Sequence, residues 1–339
     1  MEPPLENGLQ NQLQNDADLI GAASYFAHDA LSQCTDVSTM AFAVGHKPPT
    51  EQMLSAVATI IRNIVLGIEN AIIGDHEYLM TGTPVSWPLL LQSGFLRDTA
   101  LVDFALSVFA AERLNTRILA NGEIQLVDQL PAQLLVHKNA LIAAAAQSLL
   151  ANETEIRRSP QLIHRQMNSE LLHKTTWRIV AALQVIGDHK NVTHIANSKS
   201  FLNCHDETNS LHASARKIVF FLNGETDDLV LNPAHAGTAI FAAALSAKAG
   251  LDQDHVLRLI DGHSSAPLAL LLRACEVHRD AAMETICLFK GFDLTPLEVI
   301  SIERYYDVIT VSDANTAIAQ WGAERTRLLT FPESSLGNR

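Results

Sequence analysis

Three stretches of this chain repeat one pattern: a polar lead-in, then Asp or Asn, then a helix-forming run that opens with small residues. They are FLRDTALVDFAL (95–106), VHKNALIAAAAQ (136–147) and VHRDAAMETICL (277–288). An apolar run, WPLLLQSG or PLALLLRACE, ends just before the first and the third. GLDQDHVLRLID (250–261) and TVSDANTAIAQW (310–321) are looser copies. A helix of this kind buries its apolar face only against a neighbour, so repetition implies stacking. Ala and Leu dominate, aromatic residues make up only 6% of the chain, and no two alternating runs form a convincing hairpin. Helix formers therefore outweigh strand formers. The pattern predicts an all-α protein of about fourteen helices in stacked antiparallel pairs, a degenerate helical repeat or α-solenoid.

The shared Asp or Asn has a local reason to be there. The first turn of a helix leaves backbone N–H groups without partners, and an Asp or Asn side chain accepts from them. Asp98, Asn139 and Asp280 are thus expected to be N-caps. His278-Arg279-Asp280 also spells the core of a protein-kinase catalytic loop. That chemistry needs a Gly-rich loop, a D-F-G and an Asn soon after the Asp. Thr285 stands where the Asn belongs, and the other parts are missing. Asn139 in the middle copy settles the choice, because Asn can cap a helix and cannot act as a carboxylate base.

Around the repeats, residues 1–16 are Gln/Asn/Pro-rich and are expected to be a disordered tail. Thr50 is a good N-cap for SAVATIIRNIVLGIENAII, whose Val57, Ile60, Ile61, Ile64, Val65, Ile68 and Ile72 share one face. The tetrapeptide IGDH closes apolar helices at 73–76 and 186–189, with Gly at the expected left-handed stop. The polar stretch 153–165 predicts a boundary between a helical domain at 17–155 and a helical-repeat domain at 156–332, followed by a tail at 333–339.

The formal net charge is −13 and basic residues occur at most in short pairs. Nucleic acid and anionic membrane surfaces are therefore excluded as partners. The longest apolar run, about twelve residues around Ala140–Ala151, is too short to span a bilayer. The polar, acidic start is no signal peptide. Cys34, Cys204, Cys275 and Cys287 match no disulfide or zinc-ribbon spacing, so buried reduced thiols in a cytoplasmic protein are expected.

No Walker loop, dinucleotide fingerprint, nucleophile elbow or H-E-x-x-H occurs. The competing chemistry is a metal site. His189, His194, Cys204, His205 and His212 cluster within one stretch, and imidazole and thiolate are the ligands zinc prefers. Against it, Cys204 and His205 are adjacent, and His205 and His212 lie about two helical turns apart.

The segments SWPLLLQSGFLRDTALVDFALSVFAAERL, ELLHKTTWRIVAALQ, LHASARKIVFFL and AKAGLDQDHVLRLIDGHSSAPLALLLRACEVHRDAAMETICLF resemble a bacterial helical-repeat family named domain of unknown function 2336. The resemblance spans about residues 50–310 and is strongest over 247–290; the His-rich stretch 188–212 fits it poorly. It implies a HEAT-like helical fold with no assigned catalytic residues. The expected function is a non-enzymatic cytoplasmic scaffold, adaptor or regulator that binds another protein, or a second copy of itself, on a repeat surface. The alternatives are a metal- or His-dependent enzyme centred on His189–His212 and a small-ligand sensor with a groove between helices.

Overall fold

The computed structural model describes residues 20–21, 23–24, 27, 50–74, 82–120, 129–187, 191–222, 227–291 and 294–330. Among them every regular element is helical and none is a strand, as the Ala/Leu pattern implied. The helices are α1 (Glu51–Ile73), α2 (Trp87–Gln92), α3 (Thr99–Ala120), α4 (Leu130–Leu134), α5 (Ala140–Arg158), α6 (Ser169–Ile186), α7 (Asn191–Asn203) and α8 (Leu211–Leu222). They continue with α9 (Asp227–Val230), α10 (Pro233–Ala249), α11 (Gln253–Asp261), α12 (Ala266–Ala274), α13 (Arg279–Lys290), α14 (Pro296–Tyr305) and α15 (Val311–Thr330). The expected tails at 1–16 and 333–339 lie outside the described residues.

The chain forms two compact units, and neither is a continuous half of it. A medial unit joins Cys34–Phe109 to Pro131–Leu222, and a terminal unit joins Met1–Gln33, Ala110–Leu130 and Asn223–Arg339. The expected division between 17–155 and 156–332 coincides with neither. α5 runs through residue 155, and the 3₁₀ segment Pro160–Gln166 packs back on both α1 and α5. The polar stretch 153–165 is therefore a turn inside the medial unit. Its polarity reflects the exposed last turns of α5.

In the medial unit, α1 is the central element, packing on the 3₁₀ segment, α6 and α7. Thr50 caps it by accepting from the Met53 N–H at 3.1 Å, and Gly74 at φ 67° ends it. All seven residues of its expected apolar face are buried. Each such side chain contributes roughly 1.5–3 kcal/mol of transfer free energy. By length and composition α1 could cross a membrane, unlike the shorter run singled out from sequence, and its apolar face lies inside the core of this unit. Gly67 lets the 3₁₀ segment come close: a Cβ there would stand 2.1 Å from the Gln161 carbonyl oxygen and 2.5 Å from His164 Nδ1. Glu69, fully buried, accepts the Val85 and Ser86 N–H groups at 2.9 and 2.7 Å and ties the start of α2 to α1. The second IGDH behaves differently from the first. Gly187 is extended at φ −120°, and its N–H simply closes on the Leu183 carbonyl. His76 and His189 lie outside the described residues.

In the terminal unit, α12 is the hub. Pro267, Leu268, Ala269, Leu270, Leu271 and Leu272 are all buried, and the helix packs on α10, α11, α13 and α15. It ends in a Schellman turn: the Val277 N–H reaches the Leu272 carbonyl at 3.0 Å, with Glu276 in the left-handed region at φ 59°. The Tyr306 hydroxyl donates to the Val277 carbonyl at 2.9 Å and pins that turn, while burial pushes the phenol pKa up.

This turn corrects one of the three expected caps. Asp98 is confirmed: it accepts from the Leu101 N–H at 3.4 Å and also pairs with Lys174 at 2.7 Å and Arg178 at 3.1 Å on α6. Asn139 is confirmed by the Leu141 N–H at 3.0 Å. Asp280 is not the cap. The Schellman turn consumes so little chain that α13 starts at Arg279, and His278 Nδ1 accepts from the Asp280 N–H at 3.4 Å. Asp280 then sits in the first turn, 72% exposed, where its charge meets the positive helix end. The loose copy at 310–321 shifts similarly, with Thr310 capping α15 through the Asp313 N–H.

Candidate functional site

Of the expected metal ligands, His194, Cys204, His205 and His212 are among the described residues and do not form a set of three or more. His194 is buried on α7 and His212 is half-buried at the start of α8. Cys204 is exposed in the turn after α7, and His205 Nε2 lies 3.1 Å from the Met167 carbonyl. The neighbouring carboxylates are committed to structure. Asp206 accepts the Thr208 hydroxyl at 2.7 Å and backbone N–H at 3.0 Å, which hold its pKa below the usual carboxylate range. Glu207 accepts the Ser169 N–H and hydroxyl at 3.0 and 2.8 Å and is held low by them. Among the described residues no three His, Cys, Asp or Glu side chains gather as a metal set; His189 lies outside them. The cysteines also depart from the expected buried thiols, since only Cys275 is buried while Cys204 and Cys287 are exposed; Cys34 lies outside the described residues.

What this stretch does build is one wall of a cleft of about 540 Å³ in the medial unit. α1 contributes Asn70, the 3₁₀ segment contributes His164 and Arg165, and the end of α7 with its turn contributes Phe201, Cys204 and His205. His164 is the residue sequence reading missed. It lay in the polar stretch taken for a boundary, and no local pattern marks it. Pro160 starts the 3₁₀ segment, and Gly67 opposite removes the side chain that would push it away. The His164 Nδ1 is 2.7 Å from the Gln161 carbonyl, so the proton is on Nδ1 and Nε2 carries a lone pair. Burial pushes its pKa down to about 4, helped by the charges of Arg165 and His205 and opposed by the Gln161 bond. The ring is therefore neutral near pH 7. Phe201 stands beside it, ring centres 5.4 Å apart.

The medial unit also exposes apolar side chains at one end of a helix pair. α5 and α8 run antiparallel: Asn152 donates to the Asn209 carbonyl at 2.7 Å, and the Ser214 hydroxyl donates to Ser148 Oγ at 3.1 Å. That register brings the start of α5 level with the end of α8. Gathered at this end are Val136 (88% exposed), Leu141 (58%) and Phe220 (76%), with Leu135 beside them. Lys138 is exposed beside Val136 in sequence, whereas Lys217 reaches back to the Thr208 carbonyl before the start of α8.

The terminal unit has a larger cleft, about 1170 Å³, where the Schellman turn before α13 faces the start of α10. Asp228, Glu276, Glu284, His278 and Lys248 line it. Asp280 is not among its lining residues. The catalytic-loop spelling thus places no carboxylate in this cleft at the position the kinase chemistry needs.

Compared with known proteins, the chain matches no family model, no curated protein and no solved structure.

Proposed function

We propose that the chain is a non-enzymatic cytoplasmic adaptor or scaffold, of the bacterial helical-repeat kind it resembles, that binds another protein through the medial unit. The observation that carries this reading is the apolar end of the α5–α8 pair. Val136, Leu141 and Phe220 are large apolar side chains left in water near one end of a helix pair, and Val185, Val192 and Leu297 are exposed elsewhere. Grouped exposure of this kind marks interaction surfaces. Lys138, exposed two residues after Val136, favours an acidic residue in the partner segment. The rival metal-dependent enzyme has no ligand set among the described residues to support it.

The test is affinity capture from the native host, with the full chain and with a Val136→Asp/Phe220→Asp double variant as bait, identified by mass spectrometry. The reading expects a protein, or a second copy of the chain, retained by the parent and lost by the variant while its helical circular dichroism is unchanged. Identical recovery by both baits, or a monomer that retains nothing, overturns it.

A further inference from the structure

The outer face of α6 is basic toward its start and apolar toward its end. Lys174, Arg178, Ala181 and Val185 follow one another at four, three and four residues, so they share one face of the helix. All four are exposed, Val185 to 74%, while other faces of α6 pack on α1, α2 and α7.

The two cations are held in place. Lys174 Nζ and Arg178 Nη1 meet the same Asp98 Oδ2 at 2.7 and 3.1 Å. That carboxylate is 5% exposed, whereas the two cationic side chains remain 49% and 43% exposed. The Arg178 guanidinium also stands 5.9 Å from the centre of the Phe95 ring. Long basic side chains lose rotamer freedom when they bind a partner. Here Asp98 and Phe95 have already imposed that loss, so an incoming anion meets cations that are already placed.

One carboxylate does not neutralise two cations. Among the described residues neither Lys174 nor Arg178 has a second carboxylate in ion-pair range, and Glu170 one turn earlier is no exception. Ammonium and guanidinium groups carry more N–H donors than one oxygen takes up. The pair is locally positive on a chain of net charge −13, and a carboxylate from outside complements it. Val185 lies seven residues beyond Arg178, about 10 Å along the helix axis. A partner that meets both ends therefore carries acidic and apolar side chains about two helical turns apart. A second copy of the chain fits poorly, because an isologous contact centred on these cations sets like charge on like.

We propose that the outer face of α6 docks an acidic amphipathic helix of another protein, its carboxylates on Lys174 and Arg178 and its apolar side chains on Ala181 and Val185. The surface shares no residue with the apolar end of the α5–α8 pair and stands whether or not that end binds a protein.

The probes are two synthetic Ala-based helical peptides, titrated calorimetrically into the full chain at low salt. One carries two Glu four residues apart, then Leu three and seven residues on; the other carries the same pattern reversed, to cover both helix directions. Peptides with Gln for both Glu are the matched controls. Saturable binding of at least one Glu peptide is expected, weakened by about tenfold or more in its Gln control and in Lys174→Gln/Arg178→Gln. Val185→Ser is expected to weaken it about threefold or more, and Val136→Asp/Phe220→Asp to leave it unchanged. Because the double Gln variant strips Asp98 of its partners, Val185→Ser and the Gln peptides keep the test valid if that variant does not fold. Absence of saturation up to about 1 mM peptide, equal binding of the Glu and Gln peptides, or equal loss in Val136→Asp/Phe220→Asp overturns the proposal. So does binding of polyuridylate without binding of a Glu peptide, or a dimer of the chain that Lys174→Gln/Arg178→Gln dissociates.

Discussion

Replacing Asp98 with Ala should destabilise the medial unit far more than replacing Asp280 destabilises the terminal unit, although the two residues occupy matching places in the repeat. Asp98 is only 5% exposed, and one carboxylate oxygen meets both Lys174 and Arg178. Its cap bond to Leu101 is long at 3.4 Å, so the cap contributes near the low end of the usual 0.5–2 kcal/mol, about 0.5. The two ion pairs contribute more. Lys174 and Arg178 are both nearly half exposed, so water takes over much of their solvation when Asp98 is gone, and each pair loses about 1 kcal/mol. The sum is roughly 2–3 kcal/mol. Asp280 is solvated and caps nothing, so its removal costs a helix-end charge interaction and weak exposed pairs with Arg279 and His278, together about 0.3–1 kcal/mol. His278→Ala removes the actual cap of α13 and should cost about as much as Asp280→Ala or more. The tryptophans separate the units: Trp87 and Trp177 are medial and Trp321 is terminal. Urea unfolding followed by fluorescence in a Trp321→Phe background reports Asp98→Ala, and a Trp87→Phe/Trp177→Phe background reports the other two. Equal midpoint shifts for Asp98→Ala and Asp280→Ala, at unchanged m, would refute the reasoning.

His164 links stability to acid. Its folded pKa, pushed down to about 4, lies below the ordinary 6.5, so the unfolded chain binds the extra proton first. The stabilisation it carries is complete above pH 6.5 and is lost as pH falls from there through about 4, a change of about 3 kcal/mol at 1.36 kcal/mol per pH unit. His164→Gln should flatten the stability profile in that window, and a profile as steep as the parent's would show that another group is responsible. Gly67→Ala should cost about 1–3 kcal/mol or more, because the new methyl meets the Gln161 backbone and not a flexible side-chain end. Thermal denaturation checks it, and an unshifted midpoint would mean that the 3₁₀ segment does not press on α1.

Much of the fold was legible where a residue's role depends on its immediate neighbours. The face of α1 follows from spacing alone, and so does Thr50 as its cap. Asn139 and Asp98 read correctly because each keeps its own helix start, even though His137 Nδ1 accepts from the Asn139 N–H and Asp98 closes the 3₁₀ turn Phe95–Arg97. Asp280 did not, because its helix start is set by how the preceding helix stops, and that depends on Glu276 adopting a left-handed turn that Tyr306, far along the chain, holds through Val277. Asn168 and the Thr295–Glu298 capping box were readable by the same local rule and were passed over. The candidate site was the least legible part. Histidine density pointed at residues 189–212, where helical geometry spreads the rings, while the buried imidazole came from a polar turn. Its burial is decided by a glycine on another helix nearly a hundred positions away.

The interleaving of the two units bears on how the chain is made. A ribosome adds the last segment of the medial unit, Pro131–Leu222, before any of Asn223–Arg339. At 5–20 residues per second, the terminal unit waits roughly 6–23 s for its remaining segment. Through that interval the second half of α3, with Ala110, Leu114 and Ile118 that end up buried, belongs to a unit not yet synthesised. Nascent chains halted just after residue 222 clears the ribosome should therefore carry a finished medial unit beside an unshielded greasy half-helix, a natural handle for a chaperone.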